Sequence, residues 1–397
     1  MYLLCFLLAL ADPAPQIGSL LQQGLTALQH GRLQEARERL EGAAKIEPKN
    51  PYAWTPLAEV YLRLKNPQRA SMAAQTAEKL GSNDPIVCHA LAMYYSEVGE
   101  FGRAAQLEAR FSESPRADTE ATARAAGLYL NAGELQTGLA LARKAVTQQA
   151  SAAHENLLGR ALAASGDSNG GSQHLRAAWE LARTDPAIAF DYAQALLRDQ
   201  AFGDAADVLG SALEAHPENP QLVLAMGVAR YGQRRFQESI VLFLKVIRLD
   251  PSIQQPYTFL GQMLDQAGSH LGEITAAYQT WVRREPRNAK ADFFLAKALL
   301  AGGGKDEAAE DLLRRSIAID GARWESHYEL GVLQVKKRQY EAALGELTRS
   351  IELEPKQPTA HYQLARVYDR LGQPEKAKAE REIHERLASG NTPTDRP

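Results

Sequence analysis

Hydrophobic positions recur along this chain with a helical spacing, and the pattern itself returns about every 34 residues. One position in each period carries a small residue, and its members are Gly24, Ala58, Ala92, Ala126, Gly159, Ala193, Gly227, Gly261, Ala296, Gly331 and Ala365. A large apolar residue usually precedes the small one, as Leu57 and Leu330 do. A large residue beside a small one at a fixed place is what a close helix crossing requires. The pattern therefore predicts eleven copies of one packing unit.

Each unit contains the signature of a second helix. Another small position follows twelve residues after the first, as at Ala36 and Ala343, with an apolar residue four places later. Glycines stand between the two helices in several units and predict left-handed turns there; they are Gly31, Gly99, Gly133, Gly166, Gly268 and Gly372. A proline such as Pro251 or Pro355 often ends the unit. The predicted fold class is all-α, with about eleven helix-turn-helix repeats.

This arrangement resembles the tetratricopeptide repeat family over residues 17–391, nearly the whole chain. The resemblance implies one right-handed superhelical solenoid. The predicted repeats are residues 17–50, 51–84, 85–118, 119–151, 152–185, 186–219, 220–253, 254–288, 289–323, 324–357 and 358–391. We expect locally altered turns in repeat five, which carries GDSNGGS at 166–172, and in repeats eight and nine, which each gain about one residue.

The N-terminus departs from the repeats. An apolar run from Leu3 to Leu10, followed by Ala11 and Asp12, predicts a signal peptide at 1–11 and a linker at 12–16. The run is too short to cross a bilayer as a helix, so we expect no stable membrane span. No Lys or Arg precedes it, so a misassigned start stays open. The protein is expected to be exported, to a periplasm or the medium, if the signal is genuine, and cytoplasmic otherwise; residues 392–397 are expected to be a disordered tail.

The charge of the chain argues against a nucleic-acid partner, and its cysteine content excludes no class of protein. The chain has 45 basic and 48 acidic residues and a net charge of −3, so it lacks the broad positive field that attracts phosphate backbones. We therefore expect no nucleic-acid partner. Cleavage after Ala11 would remove Cys5 and leave Cys88, and one thiol forms no internal disulfide.

Two histidines invite a metal or catalytic interpretation. His327 and His361 occupy the fourth position of consecutive repeats, within HYEL and HYQL. Equivalent helices of neighbouring repeats pack roughly 8 to 10 Å apart, whereas both rings would have to lie about 2.1 Å from a shared zinc ion. We predict packing histidines and no metal or cofactor. GDSNG at 166–170 and AGGGKDE at 301–307 resemble catalytic motifs only in their letters and are interpreted as turns.

A partner surface follows from the resemblance, which implies that the first helices of the repeats line a concave groove that binds peptides or proteins. Positions 2, 5, 9 and 12 of each repeat are expected to face it. In the C-terminal third we select aromatic and cationic side chains that suit an extended, acidic segment, namely Lys290, Phe293, Lys297, Tyr328, Tyr362 and Arg366. An ordinary mixed surface is the alternative. The apolar first repeat, with Leu21, Leu25 and Leu28, suits a dimer surface or a cap, so self-association stays open.

These observations predict a non-catalytic scaffold or adaptor that binds other proteins. The alternatives are an enzyme or enzyme subunit with a site inside the solenoid, which would need convergent titratable groups, and a purely architectural rod of the cell envelope. The partner's identity does not follow from the sequence.

Overall fold

The structure is a computed structural model that describes residues 15–389. Those residues form 22 α-helices and no β-strand, which confirms the all-α helix-turn-helix prediction. The predicted signal peptide at 1–11 and tail at 392–397 lie outside the described residues. The chain divides into two compact units after Leu196, a point that falls inside the eleventh helix.

The first unit holds the first five repeats and most of the eleventh helix. Its helices are α1 (Pro15–Gln29), α2 (Leu33–Ile46), α3 (Pro51–Arg63), α4 (Pro67–Gly81), α5 (Pro85–Glu97), α6 (Phe101–Ser112), α7 (Ala121–Asn131), α8 (Leu135–Gln148), α9 (Ala152–Ala164), α10 (Ser168–Leu181) and α11 (Pro186–Arg198). Odd-numbered helices are the first helices of their repeats, and even-numbered ones are the second.

The second unit continues the same alternation. Its helices are α12 (Phe202–Ala215), α13 (Pro220–Gly232), α14 (Phe236–Leu249), α15 (Gln255–Gln262), α16 (Leu271–Arg284), α17 (Ala289–Gly302), α18 (Asp306–Ile319), α19 (Trp324–Lys336), α20 (Tyr340–Leu353), α21 (Pro358–Arg370) and α22 (Pro374–Ala388). No helix within residues 15–389 is both long and apolar enough to cross a membrane.

Caps and turns explain where the helices begin and end. Asn50 and Asp84 accept hydrogen bonds from backbone N–H groups of Tyr52 and Ile86 at 3.0 and 2.9 Å, and a proline begins each following helix. Position 15 of every repeat has a positive φ. Seven of these residues are glycines, and four are the larger Lys65, Gln200, Arg234 and Arg338. The predicted glycine turns are confirmed, and the turn geometry is a property of the repeat that overrides residue type.

The small position seats the crossing of the two helices within a repeat. A Cβ added at Gly24, Gly159, Gly227 or Gly331 would come within 2.6 to 2.7 Å of a large side chain sixteen residues later, on the second helix. Such distances are shorter than carbon atoms allow, so these four positions need glycine because the residue opposite, sixteen later, is large. Close packing of this kind stabilises neighbouring repeats in a chain of local contacts.

The expected irregularities occur in two of the three repeats. In repeat eight, α15 ends early at Gln262 and is followed by two short 3₁₀ turns, Leu264–Gln266 and Gly268–His270. Repeat nine turns through Gly303 and Gly304, both with positive φ. The expectation for repeat five is wrong: Asp167 caps α10 by accepting from the Gly170 N–H at 2.8 Å, so the helix begins in register.

Candidate functional site

The two histidines belong to a structural pattern shared by unlike residues. Position 4 of several repeats places a side-chain donor against the backbone carbonyl six residues earlier. Trp54 donates to the Pro48 carbonyl at 2.9 Å, and the His361 Nε2 lies 3.0 Å from the Pro355 carbonyl. The same contact is made by Cys88, Tyr257 and His327. Position 4 therefore satisfies a carbonyl in the turn between repeats, whatever donor the sequence supplies.

The other ring nitrogen joins the two helices of one repeat. His327 and His361 each place Nδ1 2.6 Å from a glutamate nineteen residues later, Glu346 and Glu380. Repeat five makes the same pair in reverse, with Glu155 at position 4 and the His174 Nδ1 2.6 Å from its carboxylate. Because histidine and glutamate occupy these two positions in either order, the role of the pair is structural: it holds the two helices of a repeat together. Residues 15–389 contain no group of His, Cys, Asp or Glu side chains arranged to hold a metal ion.

A second pattern links first helices of successive repeats. Asn156, at position 5, donates to the Asp191 carboxylate at 2.8 Å, and Arg160, at position 9, lies 3.7 Å from it. In the second unit the Lys297 Nζ, at position 9, is 4.0 Å from the Glu329 carboxylate. Positions 5 and 9 of one repeat therefore meet position 6 of the next. The side of the first helices that was expected to bind partners also contains contacts between repeats.

This register separates the six selected residues. Phe293 is only 5% exposed and its ring lies 5.2 Å from that of Phe294, so it belongs to the core. Tyr328 is half-buried; burial raises the pKa of its phenol, and hydrogen bonds with Thr359 and Gln363 of the next repeat oppose that shift. Lys290 lies near the start of α17, with its Nζ 5.9 Å from the Phe294 ring centroid.

Tyr362 and Arg366 are the accessible members of the selection. Tyr362 is 46% exposed, and the Arg366 guanidinium lies 6.0 Å from its ring centroid. Arg366 is exposed and hydrogen-bonds to Gln363 on its own helix at 3.0 Å. Lys297 is half-buried, above the Phe293 ring and beside Glu329. An exposed ring next to a guanidinium without a carboxylate partner in residues 15–389 is suited to an anionic segment.

Glu329 is a charged residue of this face that the sequence analysis missed. Its side chain is 22% exposed, and burial raises the pKa of its carboxyl; Lys297 opposes the shift and Asp265 adds to it. Asp265 and Lys297 were both expected to face inward, but position 6 was not among the positions expected there. The contact of position 9 with position 6 across 32 residues was the missing signal.

Replacing Glu329 with glutamine should raise the melting temperature at pH 7 and leave it nearly unchanged at pH 4. A carboxyl whose folded pKa is raised contributes fully to stability below its unfolded pKa, about 4.3, and this contribution is lost as the pH rises through the folded value. Glutamine does not ionise, so the variant escapes the loss. Glu382→Gln, at an exposed position of α22, should melt like the wild type at both pH values. A lower melting temperature for Glu329→Gln at pH 7 would contradict this account of the carboxyl.

Comparisons with known proteins agree with the repeat pattern. Two tetratricopeptide repeat family models match the sequence, one over residues 27–93 and 334–380 and the other over residues 224–286 and 275–323. Together they cover more than half of the chain. No curated protein matches it.

Among solved structures, the chain is similar to the APC/C hetero-tetramer Cut9-Hcn1, with 16% identity, 95% of this chain and 88% of that chain covered, and a TM-score of 0.44. It is similar to yeast Tom70 with 13% identity, 95% and 99% coverage and a TM-score of 0.37. It is also similar to YrrB, described as a TPR protein with an unusual peptide-binding site, with 18% identity, 47% and 96% coverage and a TM-score of 0.36. At these identities the likeness concerns the fold alone.

Family membership rests on sequence and structure together. Helix pairs recur with a period of about 34 residues, position 8 of every repeat is glycine or alanine, and position 15 turns through positive φ in all eleven repeats. The family models match within both compact units. The chain belongs to the tetratricopeptide repeat family.

Proposed function

We propose that the protein is a non-catalytic adaptor that binds segments of other proteins along the first helices of its second unit. The binding surface, called here the C-terminal face, consists of Asp265, Lys297, Glu329, Tyr362 and Arg366. Its partner is an extended segment with an acidic side chain for Arg366 and an apolar group for the Tyr362 ring. Because the helices are held by packing within and between repeats, the surface is preformed and little ordering entropy is lost on binding.

The exposure of Tyr362 beside Arg366 is the observation that supports this proposal most. Aromatic residues and arginine are the types enriched where binding energy concentrates at protein interfaces. Positions 5 and 9, which these two residues occupy, are the positions that contact the next repeat elsewhere in the chain. A partner segment bound to Tyr362 and Arg366 would therefore make the same kind of contact that successive repeats make with each other elsewhere in the chain.

Glu329 is the group that an enzyme would use here, since its pKa is raised. Its neighbour Lys297 repeats the contact that Arg160 makes with Asp191 in the first unit. A charge pair between repeats accounts for both groups, and we propose no reaction for them.

The test is affinity enrichment from an extract of the native organism, with quantitative mass spectrometry. The baits are the wild-type chain, a Tyr362→Ala/Arg366→Glu variant, and Lys378→Glu as a matched charge reversal on the second helix of the same repeat. Both variants should keep the wild-type circular dichroism and melting curve, because the changed side chains are exposed.

We expect at least one protein to be retained by the wild type and by Lys378→Glu, and to fall about tenfold or more with the double variant. Equal retention by all three baits would show that Tyr362 and Arg366 of the C-terminal face do not bind the partner. Equal loss with Lys378→Glu would show a general charge effect and would also contradict the proposal.

A further inference from the structure

A separate cavity of about 410 Å³ lies in the first unit, among the first helices of repeats one, two and three. Its lining residues are spaced three or four apart on each helix: Leu25 and Leu28 on α1, Thr55, Glu59 and Arg63 on α3, and Ala90, Met93 and Glu97 on α5. This spacing places one face of each helix toward the same space. Its volume is within the range of about 300 to 1,000 Å³ that is usual for ligand sites.

The register between repeats explains why a cavity exists here. Position 6, filled by Asp191 and Glu329 where those residues meet a cation at position 9, is Pro56 in repeat two and Ala90 in repeat three. Glu59, at position 9, faces Ala90 and so finds no cation on the next repeat. It pairs instead with Arg63 on its own helix, at 2.5 Å. Eight of the other nine repeats have a larger residue at position 6, so the small Pro56 and Ala90 leave the space unfilled.

The lining of the cavity is largely apolar and includes a tyrosine hydroxyl. Leu25, Leu28 and Pro56 are buried, and Met93 is 39% exposed. Tyr94 lines the cavity and is 8% exposed, yet its hydroxyl has no hydrogen-bond partner in residues 15–389. The hydroxyl can donate to or accept from a group bound at the cavity.

The lining includes more negative than positive charge. Glu59 is balanced by Arg63, whereas Glu97 is exposed and forms no ion pair within the described part of the chain. Burial raises the pKa of the Glu59 carboxyl; Arg63 opposes this shift and Glu97 increases it. A cation supplied by a ligand would therefore be stabilised by both carboxylates, while an anionic lipid or fatty acid would be repelled.

We propose that this cavity binds a large apolar side chain of a partner protein together with an adjacent lysine or arginine. The apolar group occupies the space lined by Leu25, Leu28 and Pro56, the cation lies at Glu59 and Glu97, and the Tyr94 hydroxyl hydrogen-bonds the partner's backbone. The site is in a different unit from the C-terminal face and prefers the opposite charge, so it stands or falls independently of the proposed function.

The test uses a random peptide library displayed on phage and selected on the immobilised full chain. Four proteins are compared: the wild type, Glu97→Lys, the cavity-filling Ala90→Phe, and Glu38→Lys as a control at an exposed position of α2. Circular dichroism establishes that each is folded. Glu97 is exposed, so the charge reversal stays informative if Ala90→Phe disturbs the helix. The peptide recovered most often on the wild type is then synthesised with a fluorescent label, and its Kd is measured by anisotropy.

The proposal predicts that the wild type and Glu38→Lys select peptides with an apolar residue beside Lys or Arg. Glu97→Lys should select peptides with an apolar residue beside Asp or Glu. It should also raise the Kd of the labelled peptide selected on the wild type about tenfold or more. Ala90→Phe should no longer bind that peptide. Enrichment without a basic residue, or enrichment unchanged by Glu97→Lys, would overturn the proposal. So would a wild-type dimer in sedimentation that Ala90→Phe dissociates, because the occupant would then be a second copy of the chain.

Discussion

Replacing Gly261 with leucine should destabilise the second unit by about 3 kcal/mol, near the upper end of the usual cost of overpacking. A Cβ at this position would overlap Cδ1 and Cε1 of Phe294. Phe294 is itself held between Tyr278, at 5.6 Å between ring centroids, and Phe293, at 5.2 Å. The ring cannot move aside without displacing the aromatic core, so the strain is expected to spread through α16 and α17.

Chemical denaturation measures this loss, and hydrogen exchange locates it. Gly345→Leu is the matched control, because a Cβ there would meet no atom within 4 Å. We expect it to unfold close to the wild-type midpoint. Equal midpoints for Gly261→Leu and the wild type, or faster exchange that is absent from α16 and α17, would refute the packing described for repeat eight.

Removing the His361 ring should cost about 1 to 3 kcal/mol. The substitution His361→Ala leaves the Pro355 carbonyl and the partly buried Glu380 carboxylate without their donor. The exposed His216 offers a control, since His216→Ala removes an imidazole without a side-chain hydrogen bond in residues 15–389. Urea denaturation of both variants gives the comparison.

The reversed pair of repeat five makes the prediction more specific. The swap His361→Glu/Glu380→His should recover part of the loss, because Glu155 and His174 make the same contact in the opposite order. Recovery should be incomplete, since an ionised glutamate cannot donate to the Pro355 carbonyl. A double-mutant cycle with no coupling between positions 361 and 380 would contradict the structural role of the pair.

The repeat was predictable because its rules are local. Position 8 must be small where the paired residue sixteen later is large, and the turn at position 15 accepts glycine readily, so both appear directly in the sequence. Gly261 shows the limit: its counterpart on α16 is Ala277, and Phe294 of the next repeat fills the space instead. Lys65 and Arg338 also adopt positive φ, which their residue types do not predict.

The partner surface was less predictable because one face serves two purposes. Phe293 and Arg366 occupy inward positions of the same kind, yet the first lies in the core and the second is exposed. Position within the repeat does not distinguish the two outcomes, because Phe293 is buried in a core cluster drawn from several repeats. The cavity was unpredictable for the same reason. It depends on which residues of successive repeats lie opposite each other, and here Glu59 lies opposite the small Ala90.

Site-specific photocrosslinking tests the adaptor proposal most directly. Benzoylphenylalanine is introduced in place of Arg366 on α21 or of Lys378 on α22, and each protein is irradiated in an extract of the native organism. The account predicts a crosslinked partner from position 366 and none from position 378, because the first helices carry the binding surface. Crosslinks from position 378 and none from position 366 would contradict the account and place the partner on the second helices.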